Sequence, residues 1–216
     1  MNTQFPRLTG LATLLALTIA VPAAEAQSSG TARRSAQGRT ARAIPKPEVV
    51  EMPSPNHNSR NGAAIDTIVL HHTADGGKAQ DTGRYFQNPK SQVSSHYIVG
   101  KDGVIVQSVA DKDRAWHAGK SAFQGRNDVN TFSIGIEIVN RGDSKDPFTD
   151  AQYEALGRLV AYLQSQYNVP RDRITGHKDV ALPKGRKIDP APNFLYERLD
   201  QELKKHQNGK PRSRRS

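Results

Sequence analysis

The chain of 216 residues contains no cysteine. That excludes a disulfide framework, a Cys-ligated zinc finger, an iron–sulfur centre, a thiol nucleophile and a lipidated N-terminal cysteine. Apolar residues are also scarce, at 35%, with a single Trp, so part of the chain is expected to lie outside any packed core. No run after residue 26 is long and apolar enough to span a bilayer, which takes roughly 20 residues. The chemistry left open is that of His, carboxylates, Ser and Lys.

What is present begins with the features of an export signal. Arg7 precedes an apolar run from Leu11 to Val21, and Ala24-Glu25-Ala26 supplies the small residues a signal peptidase requires. The run is too short to span a membrane, so residues 1–26 are expected to be removed, leaving a periplasmic or secreted protein with no transmembrane segment. The net charge of +10 is spread unevenly: residues 49–203 are neutral, with 19 basic and 19 acidic side chains. The excess sits in residues 27–48, net +4, and 204–216, net +6. Both ends are rich in Ser, Gly, Arg and Pro and are expected to be disordered. An exported protein seldom meets nucleic acid, so none is expected as a partner; the basic ends suit anionic envelope polymer or lipid headgroups, with a purely solubilising role equally open.

Between the ends, residues 49–203 read as one domain. Ile65-Asp66-Thr67-Ile68-Val69-Leu70 is a β-branched run leading to His71-His72-Thr73, and residues 79–87 read as a helix stopping before Asn88-Pro89. Residues 95–99 and 104–109 flank Lys101-Asp102-Gly103, a hairpin signal. Residues 133–139 alternate as a strand, and Thr149 with Gln152 forms a capping-box pattern opening a helix that carries Leu156, Leu159, Val160 and Leu163. Arg173-Ile174-Thr175-Gly176 reads as a short strand reaching His177, and a last helix is expected from Phe194 to about Lys205. This order predicts an α/β fold, a central mixed β-sheet flanked by helices.

His71, His72 and His177 stand at strand ends, and Asp189 follows twelve residues after His177. Two imidazoles and a carboxylate suit a catalytic zinc, leaving a fourth position for water. Spacing alone leaves a structural role for these residues equally open. Glu137 is a lone carboxylate in an apolar strand.

Ile68-Val69-Leu70-His71-His72-Thr73-Ala74, Ser94-Ser95-His96-Tyr97-Ile98-Val99, Ala115-Trp116-His117-Ala118-Gly119, Asn130 to Glu137, and Gly176-His177-Lys178-Asp179 with Arg186-Lys187-Ile188-Asp189-Pro190 occur in that order. The set resembles the zinc-dependent N-acetylmuramoyl-L-alanine amidases of the amidase-2 family, which also includes phage lysozyme-type amidases and animal peptidoglycan recognition proteins. The resemblance implies the amidase-2 fold and one zinc ion held by His71, His177 and Asp189. It implies Glu137 as general base and Lys187 as stabiliser of the oxyanion. It also implies hydrolysis of the N-acetylmuramic acid–L-alanine amide of peptidoglycan or muropeptides. His72, next to His71 on a strand, is expected on the opposite face. Trp116, His117 and Asn140 are expected to contact substrate, with Arg141 beside them. Some relatives carry a catalytic Tyr where Ser95 stands here, which shifts the load to Glu137. The alternative is a peptidoglycan-binding module on the same fold without catalysis; the complete set of site residues favours the enzyme.

Overall fold

The computed structural model describes residues 44–207. The expected export signal, residues 27–43 and residues 208–216 lie outside the described residues. In chain order the elements are β1 (Val50–Glu51), β2 (His57–Ser59), β3 (Thr67–His72), α1 (Ala79–Gln87), β4 (Tyr97–Val99), β5 (Ile105–Gln107), β6 (Asp113–Ala115), β7 (Ala122–Phe123), β8 (Arg126–Asn127), β9 (Ser133–Ile138), α2 (Asp150–Tyr167), β10 (Ile174–Gly176), α3 (His177–Val180) and α4 (Tyr196–Gln207). Six strands form one mixed sheet in the order β1-β5-β4-β9-β3-β10. The strands β4, β9, β3 and β10 run parallel, and β5 turns back on β4 through the Asp102-Gly103 hairpin. Gly103 adopts φ +82° there, a conformation that favours glycine. Two short antiparallel ribbons, β2 with β6 and β7 with β8, lie outside the sheet.

The sheet is buried on both sides, but by different partners. Ile68, Leu70, Ile134, Ile136 and Ile138 join Leu156, Leu159, Val160, Leu163, Leu199 and Leu203 in the main core, so α2 and α4 cover one face. Each such side chain contributes about 1.5–3 kcal/mol by leaving water. The other face carries two smaller apolar groups. One joins α1 to the sheet through Ala79, Phe86, Ile98, Val106 and Val139. The second gathers Val69, Ala118, Val129, Phe132 and Val180.

Local chemistry fixes the helix ends. Thr149 accepts from the Gln152 backbone N–H at 3.1 Å, while Gln152 Oε1 accepts from the Thr149 N–H at 3.0 Å, the capping box legible in the sequence. Gln152 Nε2 also donates to the Val139 carbonyl at 2.8 Å, tying α2 to the end of β9. Asn168 closes α2 in the left-handed region at φ 53°.

Three boundaries near the ends of the packed domain differ from expectation. The last helix begins at Tyr196, two residues later than Phe194, because the Phe194 N–H turns to Ala191 and the Leu195 N–H is taken by the Tyr153 hydroxyl at 2.8 Å. It runs through Gln207, so Lys204 and Lys205, assigned to the basic tail, belong to its last turns. Ile44 packs against the main core and Lys46 donates to Gln107 Oε1 at 2.7 Å, so the packed domain begins before residue 49.

Candidate metal centre and active site

The pairing of β3 with β9 sets His71 beside Glu137 and Val69 beside Gly135. These four residues share the face away from α2 and α4, with His71 and Glu137 near the C-terminal ends of the parallel strands. β10 pairs on the other side of β3 and delivers His177 as the first residue of α3; Asp179, two residues on, receives the Gly176 N–H at 3.2 Å. The loop after α3 returns Asp189, whose carbonyl accepts from the Lys178 N–H at 2.9 Å.

The three side chains converge. His71 Nδ1 lies 3.0 Å from His177 Nδ1 and 3.0 Å from Asp189 Oδ2, and His177 Nδ1 lies 3.0 Å from the same oxygen. All three are buried, at 2%, 3% and 7% exposure. Burial pushes the His71 imidazole down to about 4, so its ring is neutral at pH 7. Two imidazoles facing one carboxylate oxygen are a metal-type donor set. Tetrahedral zinc with bonds of about 2.1 Å would space its ligand atoms by about 3.4 Å, so the triangle needs to open by only a few tenths of an ångström. The residues present fit zinc.

The trio opens into a cleft of about 920 Å³, within the range of ligand sites. Glu137, Lys187, Trp116 and His117 also line it. Burial pushes the Glu137 carboxyl up to about 8, with the charge of Asp189 adding to this and that of Lys187 opposing it. Its Oε2 is buried without a hydrogen-bond partner among the described residues. Lys187 itself is exposed.

Residues 61–192 match the family described as N-acetylmuramoyl-L-alanine amidase. The chain belongs to that family. It is 39% identical over 166 residues to 1,6-anhydro-N-acetylmuramyl-L-alanine amidase AmpD of Haemophilus influenzae, covering 68% of this chain and 88% of that one. It spans 55% of the AmpD of Enterobacter cloacae, at 46% identity over 107 residues. Among solved structures, the amidase AmiD from E. coli, in complex with anhydro-N-acetylmuramic acid-L-Ala-D-gamma-Glu-L-Lys, superimposes with a TM-score of 0.58 at 35% identity, covering 66% of this chain and 59% of that one.

Within this amidase fold, the other residues singled out by their sequence motifs fall in different places. His72 follows in register with Ile138, and its ring packs against Gly142; it borders the same cleft, against the expectation of a fully opposite face, but stands outside the metal-type trio. Trp116 is half-buried in the cleft wall, its indole N–H donating to Asn58 Oδ1 at 2.8 Å. Asn140 is fully buried and does not line the cleft; it donates to the Asp146 carbonyl at 2.8 Å and accepts from the Gly142 N–H at 2.9 Å. It therefore holds the loop after β9 and is not the substrate contact expected of it. Arg141, its neighbour, is exposed and does not line the cleft. Ser95 donates to the Tyr97 carbonyl at 2.8 Å and does not line the cleft. His117 points its ring at His71, with 3.0 Å between His71 Nε2 and His117 Nδ1. The far wall, built by Thr82, Tyr85 and Phe86 of α1 with Val93, carries no signal in the sequence that marks it as part of a site. The exposed Tyr85, at 56%, and Val93, at 38%, give that wall an apolar rim.

Proposed function

We propose that this amidase cleaves the amide between N-acetylmuramic acid and L-alanine of peptidoglycan muropeptides with one zinc ion. The ion would be held by Nδ1 of His71, Nδ1 of His177 and Oδ2 of Asp189. Zinc supplies Lewis acidity toward the scissile carbonyl and brings the pKa of an attacking water to about 7. Glu137, beside His71 in the strand register, takes the proton of the attacking water and returns it to the nitrogen of the departing L-alanine. Its raised carboxyl pKa suits both directions of transfer near neutral pH. The ammonium of Lys187, at the cleft mouth, stabilises the negative charge that develops on the carbonyl oxygen. Trp116 and the Tyr85–Val93 rim offer apolar surface to the sugar and its lactyl group. The observation that carries this reading is the buried His71–His177–Asp189 triangle opening into the same cleft as the Glu137 carboxyl, whose Oε2 has no hydrogen-bond partner among the described residues.

Export to the periplasm or medium is part of the proposal, supported by the n-region, apolar run and Ala24-Glu25-Ala26. Attraction of the basic ends to anionic envelope polymer is supported by the charge distribution. Among the described residues, no helix is long and apolar enough to cross a membrane.

Mass spectrometry of muropeptide digests tests the function, with the anhydro form as the first substrate. Release of free peptides beginning at L-alanine, abolished by chelator and restored by zinc, is expected. Intact muropeptide after prolonged incubation with zinc-loaded protein would contradict the reading.

A further inference from the structure

We propose that His117 and Ala118 set the tautomers of both ligand imidazoles, His71 through the His117 ring and His177 through the Ala118 carbonyl. The inference rests on the zinc reading above and assigns His117 as a positioning residue in place of the substrate contact expected from sequence.

The proton order follows from which groups can only accept. His177 Nε2 lies 3.1 Å from the Ala118 carbonyl oxygen. A carbonyl has no proton to give, so Nε2–H donates to it and Nδ1 is the nitrogen turned toward Asp189. The His71 side needs one more link. The Ser133 hydroxyl donates its single proton to the Val129 carbonyl at 2.7 Å. Toward His117 Nε2, at 3.2 Å, Ser133 Oγ therefore accepts, and the proton sits on His117 Nε2. Among the described residues, the His117 ring bonds only to a neutral hydroxyl and another imidazole. Its Nδ1 is then bare and accepts from His71 Nε2–H at 3.0 Å, leaving His71 Nδ1 bare. Each chain of donors ends on a backbone carbonyl, and each turns an Nδ1 toward the metal-type triangle.

The segment is held for this task. Asn130 Oδ1 accepts from the backbone N–H of His117 at 3.3 Å and of Ala118 at 2.8 Å, fixing both residues with one amide. The glycine in the middle of β9 has its reason here: a Cβ at Gly135 would overlap the His117 ring. Loss of the bond that orients a ligand imidazole costs about 10–100-fold in metal affinity in comparable sites.

The test compares His117→Leu with His117→Gln in the full chain, measuring the zinc dissociation constant by chelator competition, and KM, kcat and Tm beside it. Gln keeps an oxygen to accept from His71 and an amide N–H to donate to Ser133. His117→Leu should weaken zinc binding by about 10–100-fold, and His117→Gln should recover most of that loss at an unchanged Tm. Zinc binding of His117→Leu equal to wild type with a raised KM would return His117 to the substrate and overturn the proposal. Equal zinc loss in both variants would overturn it too. Independently of folding in either variant, nitrogen-15 NMR of the histidine rings in metal-free wild-type protein should show His71, His117 and His177 protonated at Nε2. A His71 whose Nε2 carries no proton contradicts the inference. Because that measurement needs no metal, a wild-type chain that bound no zinc would defeat the zinc reading while the tautomers still decided this one.

Discussion

The two faces of β3 and β9 are made by alternate residues of the same twelve, yet they do opposite work. One presents Ile68, Leu70, Ile134, Ile136 and Ile138, all fully buried under α2 and α4. The other presents His71 and Glu137 to the cleft, with Val69 buried in a small apolar cluster and Gly135 under the His117 ring. The apolar face is what makes the polar one dependable. Sliding β9 by one residue would turn Ile136 toward the cleft and Glu137 into the core, a loss of several buried aliphatic groups at once. Register is therefore held from behind, and the placement of Glu137 beside His71 is its by-product. The polar face also lacks the volume of its counterpart, since Gly135 is needed where the apolar face carries isoleucines.

Changes on the two faces should separate cleanly. The largest effect is expected at the trio. His177→Ala or Asp189→Ala should abolish both zinc binding and turnover, while His72→Ala, outside the trio, should keep most of the zinc; elemental analysis with a muropeptide assay checks both. Next, Leu156→Ala on α2 removes a side chain that is 1% exposed. It should cost about 2–5 kcal/mol in denaturant unfolding with turnover per folded molecule unchanged, and a matching fall in specific activity would mean that the faces are coupled. Thr149→Ala deletes half of the capping box of α2 and should cost about 1 kcal/mol, read as a shift of the unfolding midpoint.

The smallest effect lies at Asp66, just before β3, and it depends on pH. At Asp66 burial opposes ionisation, but hydrogen bonds from Arg126 and Thr67 and the charges of Arg126 and Arg173 outweigh it, so the carboxyl titrates below its ordinary value. Its contribution to stability is then fully present above the ordinary carboxylate pKa of about 4 and is lost as pH falls through the lower, folded value. Asp66→Asn should cost under about 1 kcal/mol at pH 7, since the group is partly exposed, and the gap to wild type should close in acid unfolding series.

Much of this was legible in the chain because the signals were local. The 79–87 helix, the Asp102-Gly103 hairpin and the Thr149–Gln152 box each depend on residues close in sequence, and they stand where the pattern put them. His71, His177 and Asp189 were reachable through ordered motifs, and the fold brings them within 3.0 Å. What was not legible depends on packing over long separations. Nothing near Asn140 says that its amide will turn to Asp146 and away from the cleft. The wall from Tyr85 to Val93 faces the trio only because α1 packs across β4 and β5. His117 stands in the Ala115–Gly119 motif, yet its partner Ser133 is 16 residues away and His71 is 46 away. A lone glycine inside β9 was the one sequence feature that marked the ring packed against it.

The central claim is that the trio holds zinc while Glu137 moves the proton, two jobs on one face. Zinc stoichiometry and turnover of Glu137→Gln measure both at once, because the amide keeps the shape of the carboxyl and cannot act as a base. One zinc per chain with turnover lowered about 10²–10⁴-fold is the expected result. Zinc lost along with activity, or turnover above a third of wild type with zinc retained, would contradict the account.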